Sequence, residues 1–326
     1  METSTPMETP SIFFHFPYVS NNSFKYIKQN EEGSTPEDGH TELSIILSIM
    51  ILLGLIGNIF VVIKVSSMRL RSLTIIFILN LTLSDMLFTA GLMFRVYEHI
   101  WGLIPRDAGC KGFNYIFTAG FYCSIMFLVL MIVQRYMALV HPDLGWNKGL
   151  CTRRALFGAL IGSTLAALPV VVNTAALSYS EVCMRSSQSA FVAIMYEYNI
   201  FFLCGFLVMD FCYIRIFQIL FNSLTNQKHR IVGLAFFLLS TFLIFWAPHI
   251  LMTFLYILAY HLIWISAHNL FYYVKYICFI LAITRCFLIP VGYGLFGVKF
   301  REEMNEIFQI TEAEQNPKEE FPSDNP

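Results

Sequence analysis

FNYIFTAGFYCSIMFLVLMIVQRYMALVHP, residues 113–142, decides the fold. From Phe113 to Val133 it holds no charged residue, and a guanidinium then follows at Arg135, between Gln134 and Tyr136. About 20 mostly apolar residues suffice for an α-helix to cross a bilayer. Working outward, spans are expected at 43–66, 73–96, 110–140, 153–175, 190–221, 230–258 and 268–296. The fifth is long enough to tilt or to project beyond the bilayer. Lipid satisfies no backbone hydrogen bond, and the runs lack the alternation of barrel strands, so all seven read as helices. The fold class is an all-α membrane protein, a seven-helix transmembrane bundle.

Composition agrees. Charged residues make up 13% of the 326 residues and hydrophobic ones 56%, with 32 Phe. A soluble domain carries about 25% charged residues, so one water-soluble core is excluded. A net charge of −1 argues against a nucleic-acid partner. Eight cysteines form no CxxC and no Cys/His cluster, and neither a metal nor a cofactor is expected. The first residues, METSTPMETPSIFFHFPYVS, lack a basic n-region, so no cleaved signal peptide is read.

Orientation follows from the Lys/Arg bias. Lys64, Arg69 and Arg71 follow span one, and Lys148, Arg153 and Arg154 follow span three. Lys228 and Arg230 follow span five, and Lys299 and Arg301 follow span seven. The other side has Arg106, Lys111 and Arg185 and a mostly acidic segment, QNEEGSTPEDGHTE. The N-terminus is therefore expected outside and the C-terminus in the cytoplasm, as in a multi-pass plasma-membrane protein. Residues 1–42 read as a mostly disordered outer segment and 43–296 as the bundle. GVKFREEMNEIF places a short amphipathic inner-face helix at 297–310, and 311–326 reads as a disordered tail. Asn21 heads a glycosylation sequon on the outer side. No internal repeat is visible, which counts against repeat-built transporters.

A charge at membrane depth costs at least a few kcal/mol, so each is a functional candidate. Asp85 lies midway along span two, with Asn58 and Ser124 as candidate hydrogen-bond partners. Arg285 lies inside span seven, and Asp85 is its most economical counter-charge. Arg135, by contrast, can snorkel to the headgroups as a plain anchor. Glu197 and Asp210 on span five, with Arg95 and Lys275, suit interface anchoring and cavity lining equally. Trp246-Ala247-Pro248 lies mid-span six and Pro290 near the end of span seven, where proline should kink both helices. Gly158 and Gly162 form a small-residue pattern on span four that suits packing within the chain.

In this order the landmarks resemble the rhodopsin-like G-protein-coupled receptors. GLIGN matches the family's GN pair at Asn58, and LNLTLSD matches its LxxxD at Asp85. QRY stands for DRY, FWAP for CWxP and IPVGY for NPxxY, and Tyr213 matches the span-five tyrosine. The resemblance implies a disulfide between Cys110 and Cys183, and it covers roughly residues 43–308. Within that family, FILNLTLSDMLF, Trp101, GFYCSIMF, RYMALVHP and GVKFR resemble chemokine receptors, and CKGFNYIF is nearest their XC type. Ile283 stands where an opsin has its retinal lysine, and Phe117 where an amine receptor has its aspartate. Departures are equally plain. No Cys precedes Cys110, Gly91-Leu92-Met93 replaces the TxP of span two, and Gly205 replaces the span-five proline. The span-four tryptophan is missing, and Phe279 replaces an acidic residue of the span-seven pocket.

The resemblance implies a receptor and no catalysis. Its outer ligand is a chemokine-like protein, engaging Arg95, Trp101, Phe117, Glu197, Tyr256, Lys275 and Phe279. Its inner partner is a heterotrimeric G protein of the Gi type, which raises calcium and drives migration. Gln134, Arg135, Tyr136, Tyr213, Trp246, Pro248, Pro290 and Tyr293 would form the switch, and Asn58, Asp85, Ser124 and Arg285 an inner polar network. Gln134 removes the acid that holds the arginine at rest, Ile289 removes an asparagine, and Arg285 takes the family's sodium position. Thr311 and Ser323 alone in the tail imply weak arrestin binding. A binding-only, scavenging or constitutively active receptor is the alternative. A transporter or channel is the remote one.

Overall fold

The computed structural model describes residues 37–66, 73–101, 107–141, 149–177, 182–185, 188–221, 226–261, 269–287 and 290. The side chains of Arg95, Trp101, Cys183 and Lys275 lie outside that description, as do Asn21, Ile289, Tyr293 and the segments expected at 297–310 and 311–326.

Among the described residues, seven long helices follow one another: α1 Glu37–Ser66, α2 Leu73–Trp101, α3 Asp107–Val140, α4 Gly149–Ala166, α5 Gln188–Phe221, α6 Asn226–His261 and α7 Asn269–Thr284. Six are long and apolar enough to cross a membrane among the described residues, and α7 with its 3-10 turn adds the shorter stretch Ile277–Phe287. Several outrun their apolar segments, because a helix closes its hydrogen bonds within itself and persists into water.

On α1, Leu47, Ile51, Val61 and Val65 are buried while Ile45, Ile49, Leu52, Leu53, Ile56, Phe60 and Ile63 are exposed. Such an apolar outer face is too large for water and suits lipid. The central helix is α3, which packs on α2, α4, α5 and α6. Its Phe121, Tyr122, Ile125, Leu128 and Ile132 fill the core.

Span four differs from expectation. Helix α4 breaks at Ala167, a short helix Leu168–Val172 follows, and the chain then enters a β-hairpin. Pro169 has no N–H to continue the ladder. Asn173 ends the segment by donating both its backbone N–H and its Nδ2 to Pro169 O, at 3.0 and 2.8 Å. Strands β1 Thr174–Leu177 and β2 Val182–Arg185 pair antiparallel, with Ala176 opposite Cys183, and β1 packs on α3. So the connector after span four holds the one small sheet among the described residues. The bundle is otherwise all-helical.

Span seven also departs. It was expected to be helical to 296, yet regular α-helix gives way at Arg285 to the 3-10 turn Arg285–Phe287. Pro290 explains this: its ring displaces the carbonyl four residues earlier, that of Cys286. Pro248 by contrast is accommodated within a continuous α6.

Candidate functional site

Candidate side chains gather in three layers along α3: one towards the hairpin, one at mid-depth and one at Arg135.

At mid-depth, four elements meet around Asp85 of α2. Its Oδ1 accepts Ser124 Oγ of α3 at 2.8 Å and Arg285 Nη1 at 3.1 Å, across 200 positions of sequence. Asp85 is fully buried and Arg285 is 7% exposed. An unpaired charge here costs at least about 2.5–3.5 kcal/mol, and a charge-assisted hydrogen bond offsets it only when both partners are present. The guanidinium also lies over the ring of Phe242 on α6, 5.2 Å from its centroid. At such desolvated sites a cation–π contact contributes up to about 2 kcal/mol.

Close helix approach makes this junction possible. A Cβ at Gly120 would lie 2.5 Å from the backbone nitrogen of Phe88. Gly120 is one turn from Ser124 on α3, and Phe88 lies within a turn of Asp85 on α2, so this contact sets the spacing the Ser124–Asp85 bond needs. Gly57 likewise seats Pro290 of the seventh span against α1.

Asn58 was expected to donate to Asp85. It does not: its Nδ2 donates to Gly54 O and to Cys286 O, each at 2.9 Å. The carbonyl that Pro290 strips of its helical donor is that of Cys286, and Asn58 supplies the replacement. Asn58 thus braces α1 against the turn of span seven.

Towards the hairpin, Tyr122 Oη donates to Glu197 Oε1 of α5 at 3.1 Å, which turns Glu197 into the bundle. Tyr122 is fully buried and stacked on Phe201 at 4.2 Å. The hydroxyls of Thr118 and Tyr198 share a 2.7 Å hydrogen bond. Below them Trp246 meets Phe121 at 4.5 Å and Phe88 at 5.6 Å, and Phe117 lies 4.7 Å from Phe88. Phe279 is buried, 5.5 Å from His249. Tyr256 meets Phe191 edge-on at 6.1 Å, in a separate small cluster. Cys110, buried at the start of α3, is disulfide-bonded, while six other cysteines are free. Its expected partner Cys183 lies on β2, which hydrogen-bonds to the strand packed on α3.

At the far end of α3, Gln134 is buried, and its Oε1 has no hydrogen-bond partner among the described residues. Arg135 is half-buried beside it. Tyr136 packs on Ile216 of α5, and Tyr213 borders the core from the same helix. Asp210, also on α5, is half-buried.

Sequence reasoning missed Phe242, Tyr122 and His249. Phe242 was findable, since it stands four residues before Trp246 and so shares its helix face. Tyr122 stands four after Thr118 in the same way, and its hydroxyl in an uncharged run was the signal. His249, next to Pro248, gives no such hint.

Comparisons with known proteins fit this arrangement. Residues 57–293 match the family model "7 transmembrane receptor (rhodopsin family)". Chemokine XC receptor 1 of Mus musculus is 35% identical, over 81% of this chain and 82% of its own length. The Homo sapiens protein of the same name is 32% identical over 82% of this chain and 81% of its own. CX3C chemokine receptor 1 of Oryctolagus cuniculus is 32% identical over 72% and 68%. A single chain of membrane helices bearing these motifs in order, matched over most of its length, belongs to the rhodopsin family of seven-transmembrane receptors, in its chemokine-receptor branch.

Proposed function

We propose that the hairpin end of the bundle faces outward and takes a small basic chemokine, and that the Arg135 end couples to a G protein of the inhibitory type in the cytoplasm. Raised calcium and directed cell migration are the outputs. The observation that carries this reading is one packed column. It runs from the Tyr122–Glu197 bond through the rings of Phe121 and Trp246, and Phe242, one turn before Trp246 on α6, extends it to Arg285. A ligand that favours one packing of that column shifts the population of the whole bundle.

The Lys/Arg-rich connectors after spans one, three and five support this orientation. Residues 1–42 form the outer segment, whose acidic stretch speeds encounter with a basic ligand. Residues 297–310 lie on the inner membrane face, and the tail at 311–326 engages arrestin weakly. Pro248 serves as the pivot of α6. Its movement opens a crevice lined by Arg135, Tyr213 and Tyr293 for the α subunit.

A panel of chemokines applied to cells expressing the chain, with cAMP and ligand uptake both followed, tests the reading. One chemokine should lower cAMP. Uptake without any G-protein response would reject coupling and leave a scavenging receptor. That second reading is favoured by Gln134, a neutral side chain where the family carries an acid, with a buried oxygen lacking a partner among the described residues.

A further inference from the structure

The family implies an exchangeable sodium ion on the span-two aspartate, and the residues around Asp85 do not fit one. We propose that Arg285 is the permanent counter-ion of Asp85, so that this junction binds water and excludes monovalent cations. The inference concerns the mid-depth layer alone and depends on neither the ligand nor the coupling partner proposed above.

Three observations lead to it. First, Asp85 Oδ1 already holds two donors, Ser124 Oγ at 2.8 Å and Arg285 Nη1 at 3.1 Å. Both charged side chains are buried, at 1% and 8% exposure. Second, the guanidinium is fixed from its other face by Phe242, 5.2 Å from the ring centroid. It is thus held between α2 and α6 and does not trail towards the membrane surface.

Third, Asp85 Oδ2 and Asn58 Oδ1 are buried oxygens with no hydrogen-bond partner among the described residues. Two such acceptors suit either a small cation or a water, and charge decides between them. The carboxylate and the guanidinium sum to zero. An added monovalent cation would stand next to a like charge in a low-dielectric interior, with no further carboxylate bonded to the junction among the described residues. Water brings protons and no charge, which is what a buried acceptor without a donor requires.

The consequence is a difference in kind. Where a free ion fills this position, its concentration tunes the resting state. Here the cation is part of the chain and stays in every state. Its contact with α6 is through Phe242.

The test reads stability, so it needs no ligand. The full-length chain, purified in nanodiscs, is melted in about 0.15 M sodium chloride and in N-methylglucamine chloride of equal ionic strength. The wild type should melt at the same temperature in both. Arg285→Asn removes the charge and leaves a neutral oxygen, and it should melt a few degrees higher in sodium, as binding to the folded state requires. The double variant Asp85→Asn/Arg285→Asn should lose that response. Sodium stabilisation of the wild type would overturn the proposal, and so would a folded Arg285→Asn that ignores sodium. If Arg285→Asn does not fold, Arg285→Gln replaces it with the same expectation, and if neither folds the wild-type comparison decides alone. Failure to respond to any chemokine would leave this result standing.

Discussion

Arg285 and Arg135 carry the same charge at different depths and are handled in opposite ways. Arg285 is buried mid-bundle, with a carboxylate from another helix and an aromatic face on either side. Arg135 is half-buried at the end of α3, beside a neutral Gln134. Depth accounts for the contrast. In the hydrocarbon interior a guanidinium must find an opposite charge, whereas near the interface water and headgroups solvate it. Tertiary contacts therefore dictate the environment of Arg285. At Arg135 the neighbour is the neutral Gln134, which on the reading proposed above sets the resting balance of the receptor.

The largest test of that contrast is Arg285→Ala. It leaves Asp85 charged and unpaired and should cost about 3–5 kcal/mol, seen as a lowered melting temperature and reduced surface expression. The double variant Asp85→Asn/Arg285→Met should recover most of the loss. A double variant as unstable as the single one would show that packing, rather than pairing, is at stake. Next in size, Gly120→Ala should cost about 1–3 kcal/mol, because the new methyl meets the backbone of α2 and forces Ser124 away from Asp85. Gly158→Ala, with open space before it, should change stability by less than about 0.5 kcal/mol. Equal effects at the two glycines would break the link between close approach and the junction. The smallest effect belongs to Gln134→Glu. A carboxylate beside half-buried Arg135 should hold it by about 1 kcal/mol, so basal inhibition of cAMP should fall by about fivefold. An unchanged basal level would mean that the neutral neighbour does not set the resting state.

Legibility followed the same division. The spans were readable because apolar length is a one-dimensional property, and Asp85 and Arg285 could be matched because each makes the other necessary. Asn58 was misassigned to Asp85 because its true acceptor, Cys286 O, lies 228 positions away and becomes available only through Pro290. The β-hairpin was missed because residues 174–185 have no long alternating pattern. Glu197 stayed ambiguous until Tyr122 was found donating to it.

Sequence alone determined that the chain is a membrane bundle, where its charges lie along each span and which family motifs it carries, since these depend on composition and order. Only the tertiary structure decided which oxygen Arg285 meets, that Phe242 stacks on it, that Asn58 braces the turn of span seven and that Gly120 keeps α2 and α3 close. Each of these is a distance between helices. Apolar patterning marks where a helix crosses the membrane but carries no term for how near its neighbour comes or how it is rotated.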